Sequence, residues 1–265
     1  MNSTNNKFYE NGWCKFPYDQ AIAEWVTNAM PLARRAVDSK DHSDWLRCGK
    51  TWFVGVNALP NNMNGVIGES LPLSGEAVEF IRNMPELGNF FWDRAQISVC
   101  YPGYPAPSDL ETEKAYKFRK NRASAHIDGL LPEGPERRRY LREIHAFILG
   151  IPMVEYSQEA SPPVVWEGSH EIIRTAFNKI FSGVAPDKWG SKDVTELYQQ
   201  ARKQVFDQCQ KVEIHASPGE AILVHRLTVH GIAPWKKTAT AGPDGRMICY
   251  FRPILDEPQK WLSMQ

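Results

Sequence analysis

No stretch of this 265-residue sequence approaches the run of about 20 apolar residues that spans a bilayer. The first residues, MNSTNNKFYENGW, are polar and carry no apolar core of a secretion signal. An excess of charge of one sign is also missing. Lys+Arg and Asp+Glu both number 31, so no overall positive field exists to draw in nucleic acid or anionic lipid. The cysteines are five (Cys14, Cys48, Cys100, Cys209 and Cys249), odd in number, far apart and without a CxxC pair. That pattern argues against a disulfide framework and against a thiolate zinc site. Internal repeats and low-complexity tracts are absent as well. These absences lead to the expectation of a soluble, cytoplasmic protein of a reducing compartment, with no nucleic-acid partner and no membrane span. The length and the 42% hydrophobic, 23% charged composition fit one globular domain over residues 1–265.

What is present is mainly strand-like. Apolar residues at helical spacing (Ile22, Trp25, Val26, Ala29) predict a helix over Asp19 to Val37, kinked or divided at Pro31. A second, short helix is predicted from Ser74, its N-cap, to Met84. Arg94 to Tyr101 reads as a strand, and YPGYPAPSDLE after it as a loop. From residue 123 onward come SAHIDGL, the continuous apolar run IHAFILGIPM, PPVVWEGSH, a helical insertion over about 171–210, KVEIHA, AILVHRLTVHG and RMICYFRPIL. Short strands punctuated by Pro and Gly predict a β-sandwich or barrel core over about 94–255, with helices before it.

His126 and Asp128 carry the chemistry. Residues i and i+2 of a strand share a face, so an imidazole and a carboxylate at this spacing can converge on one ion. His230, at a strand end before Gly231, is the best candidate for a third ligand. Two histidines and one carboxylate form a facial triad suited to non-haem iron(II). His225 competes for the third place. In one continuous strand the two histidines would face opposite ways, so only one can reach the ion.

The order HID (126–128), WEGSH (166–170), PGE (218–220), VHRLTVHG (224–231) and GRMICYFRP (245–253) resembles hydroxylases of the phytanoyl-CoA dioxygenase family, over about Arg94 to Pro253. The resemblance implies a double-stranded β-helix (a jelly roll, cupin-like) and places the distal ligand immediately before glycine, favouring His230. It also implies an enzyme that uses Fe(II) and O2, with 2-oxoglutarate as cosubstrate giving succinate and CO2, to hydroxylate an unactivated C–H bond of a small molecule. Halogenating relatives lack the carboxylate, and Asp128 retains it. In the family an arginine on the strand after the distal histidine binds the far carboxylate of 2-oxoglutarate. Arg246 has that place, with Arg252 as the alternative because the gap after His230 is long. The planar guanidinium fork suits a carboxylate.

Gln96 and Ser98 share a strand face and are candidates for further cosubstrate contacts. Candidate substrate-binding residues are Arg122, Tyr101, Tyr104 and Trp166. Basic residues crowd the segment Lys114 to Arg142, which raises an anionic substrate; a solvated surface paired with acids from elsewhere in the fold is the simpler explanation. Two rival functions use the same residues. One is a non-catalytic jelly-roll binding or regulatory protein, and the other is a cupin-type metal-dependent isomerase or hydrolase.

Overall fold

A computed structural model describes residues 3–85, 87–108 and 111–264. The N-terminal third supplies α1 (Ser3–Asn11), β1 (Trp13–Phe16), α2 (Gln20–Asp38), β2 (Leu46–Arg47), β3 (Trp52–Gly55) and α3 (Glu76–Arg82). Next come β4 (Gln96–Cys100), α4 (Glu113–Asn121), β5 (Leu130–Glu133), β6 (Arg138–Leu141), β7 (Phe147–Pro152) and β8 (Pro163–Trp166). The remainder is α5 (Ser169–Ile180), α6 (Thr195–Gln208), β9 (Lys211–Glu213), β10 (Ala221–His225), β11 (His230–Ile232), β12 (Arg246–Phe251) and α7 (Lys260–Ser263). Among the described residues no helix is long and apolar enough to cross a membrane.

The strands form two facing antiparallel sheets, the jelly roll expected. The larger has seven strands in the order β1-β10-β7-β12-β4-β3-β2, the smaller three in the order β11-β8-β9, and β5-β6 is a separate hairpin. Strand alternation sorts the residues of the large sheet. Met247, Cys249 and Phe251 of β12, with Ile97 and Val99 of β4, belong to the main core that also holds Ile22, Trp25 and Ala29 of α2. The opposite face looks into the barrel, where Ile148, Ile222 and Val224 meet Val165 of the small sheet. The run at β7 is buried at every position because it is covered on both sides. Each large side chain so buried contributes about 1.5–3 kcal/mol.

Several local expectations change. Pro31 does not divide its helix. Both Pro31 and Thr27, whose carbonyl the proline leaves without an N–H, face solvent, where water can satisfy that carbonyl. Ser74 does not cap α3. Asp19 serves two helices instead, its Oδ1 accepting from the Ala21 N–H of α2 and its Oδ2 from the Glu76 N–H of α3, both at 2.8 Å. SAHIDGL is not one strand; His126 makes an isolated bridge to His230, and Leu130 opens β5 opposite Leu141. AILVHRLTVHG is two strands in different sheets, β10 and β11. The turn between them is held by the Thr228 N–H to the His225 carbonyl (2.8 Å) and the Thr228 hydroxyl to the Gly12 carbonyl (2.7 Å).

Candidate metal centre

The bridge between His126 and His230 brings the two imidazoles to a ring separation of 4.6 Å. Asp128 closes the triangle. Its Oδ1 lies 3.3 Å from His126 Nε2 and 3.6 Å from His230 Nε2, and one donor atom from each of the three residues lies within 4.8 Å of the others. Each ring is pinned by the carbonyl two residues before it: His126 Nδ1 is 2.8 Å from Ser124 O, and His230 Nδ1 is 2.9 Å from Thr228 O. A carbonyl can only accept, so both Nδ1 atoms carry the proton and both Nε2 lone pairs face Asp128. Burial would push the Asp128 carboxyl up, but the two imidazoles beside it, which can donate from Nε2 when protonated, and the charge of Arg252 hold it well below its usual range. Three convergent donors, one anionic, suit a divalent cation. The centre opens toward solvent past His126, whose side chain is 45% exposed against 13% for Asp128.

The backbone around the ligands is unusual. Ala123 and Ser124 both take left-handed φ (50° and 54°), a conformation costing about 1–3 kcal/mol per non-glycine residue. It turns the chain so that Ala123 O accepts from the Ile232 N–H (2.9 Å) and Ser124 O reaches the His126 ring. Gly231 follows from this approach, because a Cβ there would collide with the Ala123 carbonyl. The glycine after the distal histidine thus meets a steric requirement rather than a torsional one.

On β12 of the large sheet lies Arg246, fully buried, on the face opposite Met247, Cys249 and Phe251. Its Nη2 meets only the thiol of Cys100 (2.8 Å), while Nε and Nη1 have no partner among the described residues. The hydroxyls of Tyr104, Tyr156 and Ser161 are also buried and unpartnered. Burial pushes both phenols up, so they keep their protons and can donate. A buried guanidinium without an anion is costly, and loose donors beside it add to the cost. Tyr104, Tyr156 and Cys100 all act electrostatically on Arg246, so the donors surround one cation. The arrangement fits a carboxylate guest.

No protein-family model and no curated protein matches the sequence. Among solved structures the chain is similar to the non-haem alpha ketoglutarate dependent carbocyclase SnoK from nogalamycin biosynthesis, at 12% identity. The likeness covers 96% of this chain and 83% of that one, with a TM-score of 0.52. It is also similar to EvdMO1, at 14% identity and a TM-score of 0.52, over 96% of this chain and 50% of that one. The chain has the fold of a non-haem iron, 2-oxoglutarate-dependent enzyme. The phytanoyl-CoA dioxygenase name rests on motif order alone.

Within that fold the remaining predicted residues separate. Gln96 and Ser98 share the Arg246 face, Gln96 opposite Tyr250 and Ser98 opposite Ile248. Ser98 Oγ accepts from Trp52 Nε1 (3.0 Å). Tyr104 is buried with Cys100 beside Trp52, Ile232 and Trp235, and acts electrostatically on Arg246. Tyr101 has the other strand parity and packs against the main core, away from the metal face. Trp166 also faces the core, 5.4 Å from Phe206 of α6. Arg122 is exposed, its guanidinium over the Phe206 ring of α6 (4.7 Å). Of the nine basic residues from Lys114 to Arg142, four are ion-paired among the described residues: Lys117 with Glu113, Arg119 with Glu111, Arg138 with Glu136 and Glu196, and Arg142 with Glu133. Of the loop after β4, Asp109 and Leu110 lie outside the described residues. Arg252 is engaged at the metal end, its Nη1 lying 3.3 Å from Asp128 Oδ2. Its backbone N–H donates to Asp93 Oδ1 (2.8 Å), and its carbonyl lies 2.8 Å from His145 Nδ1. Sequence reasoning missed Tyr156, Ser161 and this use of Arg252, because no spacing links them to the ligands. The long gap between His230 and Arg246 is a bracket: Trp235 bridges to Ala160 and Ala241 to Tyr156, tying down the segment that bears two of the unpartnered hydroxyls.

His225 is in the large sheet, not beside His230. Its ring lies 5.0 Å from that of His170, accepts from the Leu227 N–H at Nδ1 (3.1 Å) and has Arg174 Nη2 3.3 Å from Nε2. Burial first, then the charges of Arg226, His170 and Arg174, hold its pKa well below the usual 6.5. The sign follows by linkage. Unfolded, His225 takes up a proton as pH drops below about 6.5; folded, it does so only at much lower pH. Its contribution to stability is therefore full above about pH 6.5 and lost as pH falls from there through the folded pKa. The thermal midpoint of the wild type is expected to fall between pH 7 and 5 more steeply than that of His225→Gln. Parallel pH profiles for the two would refute a neutral, buried His225.

Proposed function

We propose that this chain is an iron(II)- and 2-oxoglutarate-dependent oxygenase that hydroxylates a C–H bond of a small organic substrate. The observation that carries the reading is a three-donor cluster in contact with Arg252 at the end of β12, together with a fully buried arginine on β12, Arg246, that meets only a thiol among the described residues. His126, Asp128 and His230 would hold the iron. Arg246 would bind the far carboxylate of 2-oxoglutarate, with Tyr104, Tyr156 and Ser161 as additional donors and Gln96 and Ser98 along the wall. Bound there, iron(II) with 2-oxoglutarate and O2 supplies the oxidising chemistry, leaving succinate and CO2 as coproducts.

The protein's own share is orientation. The carbonyls of Ser124 and Thr228 keep both Nε2 lone pairs turned inward. Arg252 occupies Asp128 Oδ2, leaving Oδ1 as the atom between the histidines. Apolar walls from Trp52, Ile232 and Trp235 keep water from the Arg246 pocket and strengthen its hold on an anion. SnoK is named as a carbocyclase, so this fold serves oxidations other than hydroxylation; the retained Asp128 and the family resemblance support hydroxylation here. The ion pairs across Lys114 to Arg142 support a solvated surface over steering of an anionic substrate.

A binding protein that had lost catalysis would have no use for an unpaired buried cation beside an open metal cluster. Anaerobic addition of iron(II) and then 2-oxoglutarate should produce a weak visible charge-transfer band, and admission of oxygen should yield succinate even without substrate. Neither band nor succinate, with iron bound stoichiometrically, would favour the isomerase or hydrolase reading.

A further inference from the structure

We infer that α6, which belongs to the helical insertion and not to the jelly roll, sets the metal affinity of the site through two positioning residues, Tyr198 and Arg202. The inference rests on the metal reading above.

The backbone around the two ligands on the 123–129 segment shows why. A ligand carried on a regular strand has its neighbouring amides paired by the next strand. Here the only sheet-type pairing is at His126, whose N–H donates to His230 O (2.9 Å) and whose O accepts from the His230 N–H (2.9 Å). The flanking groups turn away from that bridge. The Ile127 N–H, midway between His126 and Asp128, donates to the Tyr198 hydroxyl (3.0 Å). The Ala125 carbonyl, just before His126, accepts from Arg202 Nη1 (3.0 Å).

Both partners are themselves fixed. Tyr198 is buried, and burial pushes its phenol up, so it remains a neutral hydroxyl able to accept from Ile127. The Arg202 guanidinium lies over the rings of both Phe118 (4.8 Å) and Tyr198 (5.2 Å). The N-terminus of α6 is anchored in turn, the Val194 N–H donating to Arg139 O (3.0 Å) and the Arg139 N–H to Thr195 Oγ1 (2.7 Å). The left-handed residues Ala123 and Ser124 would relax if these bonds were lost, taking with them the carbonyl that orients the His126 ring. Removing groups that orient metal ligands typically weakens binding about 10–100-fold.

Anaerobic equilibrium dialysis of the full-length chain against iron(II) alone tests this, alongside the thermal midpoint of the metal-free protein. Tyr198→Phe should weaken iron binding about 10–100-fold. Val205→Ala, in the buried face of the same helix but touching no ligand-bearing backbone, should lower the midpoint while leaving iron affinity within about twofold of wild type, as expected for a site remote from the change. Equal iron affinity in Tyr198→Phe and wild type overturns the inference. So does equal weakening in Tyr198→Phe and Val205→Ala, which would mark a general loss of stability. Should Tyr198→Phe fail to fold, Arg202→Lys decides by the same comparison, since lysine keeps the stem and charge but not the planar fork. A wild-type chain that binds no iron overturns the metal reading instead, so the two failures are distinguishable.

Discussion

Asp128→Ala is expected to abolish iron binding and reduce turnover below about one per cent of wild type, a loss of at least about 2.7 kcal/mol in transition-state stabilisation. The size of the effect follows from the position of the carboxylate. Its Oδ1 is the only anionic atom between the two Nε2 lone pairs, and its Oδ2 faces the Arg252 cation at 3.3 Å. Without it, two imidazoles stand near the Arg252 guanidinium with no anionic donor between them, an environment that disfavours a divalent cation. His126→Ala and His230→Ala should be similarly inactive. His225→Ala should keep measurable turnover and lose stability, because its ring packs against His170 and Phe8 in a different sheet from His230. Iron stoichiometry under anaerobic conditions, read beside succinate formation, separates these outcomes. Full iron loading in Asp128→Ala would remove the carboxylate from the ligand set. Normal iron affinity in His230→Ala, together with its loss in His225→Ala, would exchange the third ligand.

Arg246 gives the second large effect, with stability and function moving apart. Arg246→Ala should raise the KM for 2-oxoglutarate by tens-fold or more, the expected result of losing about 2–5 kcal/mol with a buried carboxylate's partner. Iron affinity should stay within a few-fold of wild type. Arg246→Met is the sharper variant. The wild-type guanidinium is completely buried and only a thiol meets it, so an apolar side chain of similar length removes an uncompensated charge. The thermal midpoint of Arg246→Met without cosubstrate should therefore be no lower than that of wild type. Saturating 2-oxoglutarate should stabilise the wild type, by about 2.7 kcal/mol at a hundred times its Kd, and leave Arg246→Met unmoved. Unchanged cosubstrate dependence in Arg246→Ala beside a crippled Arg252→Ala would move the carboxylate site to Arg252. The contact between Arg252 and Asp128 predicts instead that Arg252→Ala weakens iron binding.

The likeness to SnoK and EvdMO1 belongs to the backbone. At 12% and 14% identity the chemistry must be read from this chain's own side chains. Three of them were flagged in the sequence for a different role or with less reason. Tyr104 stood as a substrate contact; it is buried and acts electrostatically on Arg246. Ser98 and Gln96 were placed by alternation alone, and the β4–β12 register puts them opposite Ile248 and Tyr250 on the Arg246 face.

By itself the sequence supplied grounds to expect a β-sandwich or barrel, narrowed to a jelly roll by the family resemblance, three ligand candidates, and Arg246 ahead of Arg252 as the carboxylate's partner. Short strands between Pro and Gly turns are a local signal, and His, Asp and Arg are chemically distinctive wherever they fall. Even Gly231 announced a constraint, although its nature, the approach of the Ala123 carbonyl, lay more than a hundred residues away. The tertiary structure alone decided what depends on one surface meeting another. It divided AILVHRLTVHG between two sheets and so parted His225 from His230. It turned Tyr101 and Trp166 into the core, paired four of the basic residues from Lys114 to Arg142 with acids, and brought Tyr156 to Arg246 and α6 to the ligand loop. The reason is physical. Local pattern reports which face of its own element a residue occupies, whereas the partner across that face is set by packing between segments distant in the chain, and no spacing records it.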